Sequence, residues 1–234
     1  MRAGAEAAAG LLRSGARSIR VKVCCIASTE EADLAIAAGA DALGLVSAMP
    51  SGPGPIPEST IASIVRHVST RTATVLLTSR QDASGIGDQI TRIRPAVVQL
   101  VDELSVPEYV TLRAAHPEVV LMQVIHVRDG NSVEEAVSVA PFVDAILLDS
   151  GNPTAAVKEL GGTGRVHDWA ISRAIRDAVD LPLFLAGGLR PSNVAEAIAA
   201  VQPFGVDVCS GVRVNGRLDH DAVRAFIGAA RSAS

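Results

Sequence analysis

Short apolar runs alternate with amphipathic stretches along the whole chain. The runs at 20–25, 42–46, 74–78, 96–101, 119–127, 145–149, 182–186 and 205–209 predict strands. Between them, apolar residues recur at helical spacing near 29–39, 57–68, 84–93, 105–116, 132–139, 168–179, 191–201 and 219–231. Start signals precede several of these helices: Ser28-Thr29-Glu30-Glu31, Pro57-Glu58-Ser59 and Pro191-Ser192-Asn193. Gly39 marks a helix end, as does Asp180 ahead of Leu181-Pro182.

Eight strands, each followed by a helix, are what a (β/α)8 barrel requires, and continuous apolar strands suit a parallel sheet covered by helices. An open doubly wound sheet is the alternative, although eight units exceed what that fold usually holds in this length. The reading is a single-domain α/β barrel over residues 20–234, preceded by an N-terminal extension at 1–19. That extension carries Arg2, Arg13 and Arg17 against Glu6, and Gly10 breaks its apolar stretch. A signal peptide needs a longer apolar run.

Composition narrows the function. Of 234 residues, 48% are hydrophobic and 20% charged, which excludes intrinsic disorder. Only 3% are aromatic, too few for a stacking platform for single-stranded nucleic acid. A formal net charge of −4 gives no overall electrostatic footprint for nucleic acid. No apolar run is long enough to span a bilayer. The three cysteines, Cys24, Cys25 and Cys209, are odd in number and two are adjacent, so a disulfide framework is not expected and a reducing cytoplasm fits.

In such a barrel the active site lies at the carboxyl ends of the strands. In the first strand, period-two alternation puts Lys22 and Cys24 on the interior face and Val21, Val23 and Cys25 on the outer one. A cation beside a strand-end cysteine favours its thiolate. Asp149 ends the sixth strand, and a carboxylate there is costly unless paired or used. The glycine-rich stretch Gly161-Gly162-Thr163-Gly164-Arg165 could wrap a ligand. Gly187-Gly188 after the seventh strand and Ser210-Gly211 after the eighth let backbone N–H groups approach an anion, which predicts a phosphate site.

These residues are similar to a known family. The chain resembles phosphoribosylanthranilate isomerase through Val21-Lys22-Val23-Cys24, Ala38 to Gly44, Val98-Gln99-Leu100 and Leu147-Leu148-Asp149-Ser150. The match continues through Gly161 to Arg165 with Asp168-Trp169, Leu185 to Leu189 with Pro191 and Asn193-Val194, and Gly205 to Val208 with Ser210-Gly211-Val212. The resemblance implies an Amadori rearrangement of an N-substituted phosphoribosylamine, with Cys24 as general base and Asp149 as general acid. It implies a phosphorylated sugar as substrate, no cofactor, no metal, and a monomer or homodimer. Lys22, Gln99, Gly162 and Asp207 join the expected substrate-binding set.

Three positions depart from the family pattern. Cys25 stands where the family has glycine. Gly54 stands where it has the arginine that binds the anthranilate carboxylate, and Val101 where it has histidine. Arg80, directly after the third strand, is the best replacement cation on sequence position. The alternatives are a related phosphoribosylamine lacking the carboxylate, or a non-catalytic barrel that binds a phosphorylated metabolite.

Overall fold

The strands bury both faces, which dictates how the sheet must be covered. Every residue of β2 (Ala42–Val46) and of β3 (Ala73–Thr78) is buried, so neither face can meet water. The computed structural model describes residues 7, 10–12, 19–151 and 166–233. In it, β1 (Arg20–Val23), β2, β3, β4 (Val97–Leu100), β5 (Val120–His126), β6 (Ala145–Asp149), β7 (Leu183–Leu185) and β8 (Gly205–Val208) close into a parallel barrel in chain order. The helices follow their strands: α1 (Thr29–Ala38), α2 (Glu58–Val68), α3 (Ala83–Ile93), α4 (Val106–Ala115), α5 (Asn131–Val139), α6 (Trp169–Ala178), α7 (Val194–Val201) and α8 (His220–Ser232).

Alternation along the strands divides the apolar residues between two cores. Ala42, Val75, Leu77, Val97, Met122, Val124, Leu147 and Phe184 fill the barrel interior. Val21, Val23, Leu43, Leu45, Leu76, Ile125 and Leu148 face outward and pack with Ile61, Ile64, Ile86, Ile175 and Phe226 of the helices. Lys22, between Val21 and Val23, is therefore inside. Leu11 is also buried in the inner cluster. It shares a cleft with Arg20, Asp41 and Ala73 at the amino ends of β1–β3.

Local chemistry explains the ends of the elements. Ser28 Oγ accepts from Glu31 N at 3.3 Å and starts α1, which Gly39 ends in left-handed conformation (φ 100°). Asp82, Asp168 and Asp219 cap α3, α6 and α8 through their side chains. Many boundaries move by a residue, and two of the shifts have a clear local cause. The first strand stops at Val23 rather than Cys25, because Cys25 adopts φ 64° and leaves the extended conformation. The helix expected from 191 begins at Val194, because the Asn193 side chain is committed to the preceding turn, accepting from Arg190 N and donating to Gly188 O. A small hairpin, β9 (Arg213–Val214) and β10 (Arg217–Leu218), follows β8 and was not expected. No helix among the described residues is long and apolar enough to cross a membrane.

Candidate active site

A cavity opens at the carboxyl ends of the strands. Cys24, Cys25, Gln99, Asp149, Gly187, Gly188, Asp207, Cys209 and Ser210 contribute to its lining. The loop after β2 supplies Met49, Ser51, Gly52 and Pro53, which sequence position alone did not single out. Lys22 lies at the base of the site, fully buried, with Nζ 2.9 Å from Asp207 Oδ1. Residues opposite one another on adjacent parallel strands share a face, and the β1–β8 register sets Lys22 against Asp207. The contact is ionic without an aligned hydrogen bond.

This charge pair acts on Cys24. A hydrogen bond with Cys25 and the nearby Lys22 ammonium outweigh burial and hold the Cys24 thiol below its ordinary range. Burial alone would depress Lys22, but Asp207 and the cysteines keep its ammonium above its usual value and so charged. Cys25 moves the other way: hydrogen bonds with Cys209 and Cys24, followed by burial, push its thiol up. Cys24 is thus the thiol poised to ionise, and Cys25 the one held protonated. The expectation that Cys25 faces outward is corrected here. Its left-handed backbone turns the side chain into the cavity lining, where Sγ reaches Pro53 O at 3.6 Å. Arg213 fixes this turn, donating from Nη2 to Cys25 O while paired with Glu31 at 2.8 Å.

Across the cavity, Asp149 ends β6 and accepts from Ser150 N at 2.7 Å. The β5–β6 register sets His126 directly beside it. His126 is only 3% exposed, and its Nε2 lies 3.0 Å from Val101 O. His167 also interacts electrostatically with Asp149, and its Nε2 is 2.8 Å from Ser172 Oγ. Burial lowers both imidazole pKa values despite Asp149, so both rings are neutral. The sequence reading did not include either histidine. An alternation count along β5 would have turned His126 inward with Met122 and Val124.

The predicted phosphate loops meet at one end of the cavity. Gly187 and Gly188 have φ 84° and 64°, a conformation that side chains resist. Ser210 lines the cavity beside them, whereas Gly211 permits a close contact: a Cβ there would fall 2.0 Å from Leu189 O. Arg80 does not line the cavity. It is exposed, with Nη1 turned toward Gly85 at the start of α3. Gly162 and the rest of 161–165 lie outside the described residues.

Comparison with known proteins decides the family. The model for N-(5′-phosphoribosyl)anthranilate (PRA) isomerase matches residues 21–229. The chain is 41% identical over 218 residues to N-(5′-phosphoribosyl)anthranilate isomerase of Haloferax volcanii, covering 92% of this chain and 94% of that protein. The chain belongs to the N-(5′-phosphoribosyl)anthranilate isomerase family.

Solved isomerases of the family agree in fold. The enzyme from Thermotoga maritima superposes with TM-score 0.78 at 31% identity, covering 92% of this chain and 99% of that one. A second structure, of a phosphoribosylanthranilate isomerase in complex with reduced 1-(o-carboxyphenylamino)-1-deoxyribulose 5-phosphate, gives TM-score 0.75 at 29% identity over 92% and 99% of the two chains. Two of the positions singled out in the sequence, 25 and 54, are neighbours. A Cβ built on Gly54 (φ 85°) would come 2.7 Å from Cys25 Cβ. Cys25 thus fills space that a side chain at position 54 would need.

Proposed function

We propose that Cys24 is the general base and Asp149 the general acid in the isomerisation of N-(5′-phosphoribosyl)anthranilate to 1-(2-carboxyphenylamino)-1-deoxyribulose 5-phosphate. The observation that carries this reading is that a thiol held toward ionisation and a strand-end carboxyl line one cavity, from β1 and β6. Asp149 gives its proton to the furanose ring oxygen, the C1′–O bond breaks, and a Schiff base forms. The Cys24 thiolate then takes the proton from C2′, leaving an enolamine that tautomerises to the ketone. Only protons pass between protein and substrate, and the substrate's overall oxidation state is unchanged, so the reaction needs neither a redox cofactor nor a metal.

The 5′-phosphate belongs between Gly187-Gly188 and Ser210-Gly211, where small residues leave the backbone accessible. Gln99, Lys22 and Asp207 form the floor beneath the sugar. Arg80 keeps a role in carboxylate recognition only if it turns inward from its position by α3. A monomer or a homodimer suits the family, in which a dimeric isomerase from Thermotoga maritima is known.

A fluorescence assay of phosphoribosylanthranilate turnover tests the assignment. Cys24→Ala and Asp149→Asn should each lower kcat by about 10²–10⁴-fold, the usual worth of one positioned proton-transfer group. A Cys24→Ala enzyme that keeps full activity would sink it. Ser210→Asp should raise KM through like-charge repulsion with little change in melting temperature.

A further inference from the structure

Two nucleophilic groups beside the site have no part in the proton transfers. All three cysteines of the chain are free, and all three line the same cavity. The register pairs Val23 with Val208, and Cys24 N donates to Val208 O at 2.8 Å, so the chain segments beyond β1 and β8 run side by side. The left-handed turn at Cys25 then puts its thiol in the same cavity wall as Cys209, near enough for Cys209 to act on its ionisation. Cys209 is the partly exposed member of the group, whereas Cys24 and Cys25 are 5% and 6% exposed. The Arg213 guanidinium interacts electrostatically with both Cys209 and Cys25.

We propose that Cys25 and Cys209 form an oxidative modification site, in which a low-molecular-weight disulfide joins them across the wall of the substrate cavity. The Cys209 thiolate attacks one sulfur of the oxidant RSSR, whose S–S bond breaks to give a mixed disulfide and RS⁻. The Cys25 sulfur then attacks Cys209 Sγ, closing the protein disulfide and releasing a second RS⁻. The two thiol protons pass to the two leaving thiolates, so two protein thiols are oxidised as RSSR is reduced to two RSH. Adjacent cysteines are poor partners, since their Cα atoms lie about 3.8 Å apart across a trans peptide and a disulfide needs about 4.4–6.8 Å. Cys25 is therefore expected to bridge to Cys209 rather than to Cys24.

The consequence for turnover rests on the role proposed for Cys24. Bridging withdraws the Cys25 thiol from Cys24 and removes the hydrogen bond that favours the Cys24 thiolate. It also places a covalent link next to Ser210.

The full chain, incubated with oxidised glutathione, tests this by peptide mapping without reduction and by turnover before and after dithiothreitol. The expected result is a Cys25–Cys209 link, loss of about 2 Da in mass, and a fall of about tenfold or more in rate that dithiothreitol reverses. Cys24→Ala should still form the link, while Cys25→Gly and Cys209→Ser should not. Cys209→Ser should keep its own untreated rate after oxidant, whereas Cys25→Gly should stop at a glutathione adduct on Cys209. Absence of the Cys25–Cys209 peptide overturns the proposal, as does a link lost in Cys24→Ala or a glutathione adduct that never resolves. Because the peptide map does not depend on turnover, an inactive protein that still forms the link would refute the isomerase assignment and not the modification site.

Discussion

Gly44 on β2 makes room for the Cys24 thiol: a Cβ built on Gly44 would lie 2.6 Å from Cys24 Sγ and 3.0 Å from its Cα. The Cα cannot move without disturbing β1, so the sulfur would have to give way. Gly44→Ala should therefore lower kcat by about 10²-fold through a misplaced base. It should also cost about 1–3 kcal/mol in urea unfolding, the usual cost of overpacking. Unchanged turnover in a folded Gly44→Ala protein would show that the thiol has slack which this packing denies.

Lys22 and Asp207 form an ion pair with exposures of 0% and 9% for the two side chains. Removing one partner leaves the other charge buried, so Lys22→Met should destabilise the fold by about 3–5 kcal/mol. The same change removes a cation that favours the Cys24 thiolate. The acid limb of the pH–rate profile assigned to Cys24 should shift to higher pH. A profile that keeps its position would separate Lys22 from the chemistry and leave it a structural charge.

His126 and His167 have folded-state pKa values lowered by burial. Between those values and the unfolded pKa of about 6.5, the unfolded chain binds more protons, so stability rises with pH there. Their contribution is complete above about pH 6.5 and falls away as the pH drops through the folded values. Urea midpoints measured from pH 7.5 downward should decline, beginning before ordinary carboxylates titrate. The double variant His126→Gln/His167→Gln should flatten that decline. An identical slope in the double variant would assign the titration elsewhere.

Cys25 and Gly54 compete for one space, which predicts coupling between them. Gly54→Arg alone must push its Cβ against Cys25 from a left-handed backbone, and should cost about 1–3 kcal/mol. Adding Cys25→Gly should recover part of that loss and lower the KM for phosphoribosylanthranilate relative to Gly54→Arg. Arg80→Ala should leave KM within about twofold, as for a surface residue away from the site. A double variant no better than the sum of its parts would end the idea that the two positions are linked. A large rise in KM in Arg80→Ala would instead mean that Arg80 turns inward on binding.

The repeating units and the direction of Lys22, Cys24 and Asp149 were open to reading from the sequence, because they depend on local patterns. Period-two alternation holds wherever backbone stays extended in a hydrogen-bonded ladder, and the strands keep it from Arg20 to Val23 and from Ala145 to Asp149. One residue beyond Cys24 the pattern fails, since Cys25 takes φ 64° and its side chain enters the cavity that alternation would have denied it. Tertiary structure also decided what gathers around Asp149. His126 arrives through the register of β5 on β6, and His167 stands just ahead of α6, so no spacing along the chain joins them to the carboxylate. The crowding of Gly54 by Cys25 likewise arises from a contact between loops far apart in sequence. Local patterns determine which way a side chain points from its own strand; only closure of the barrel determines what it meets.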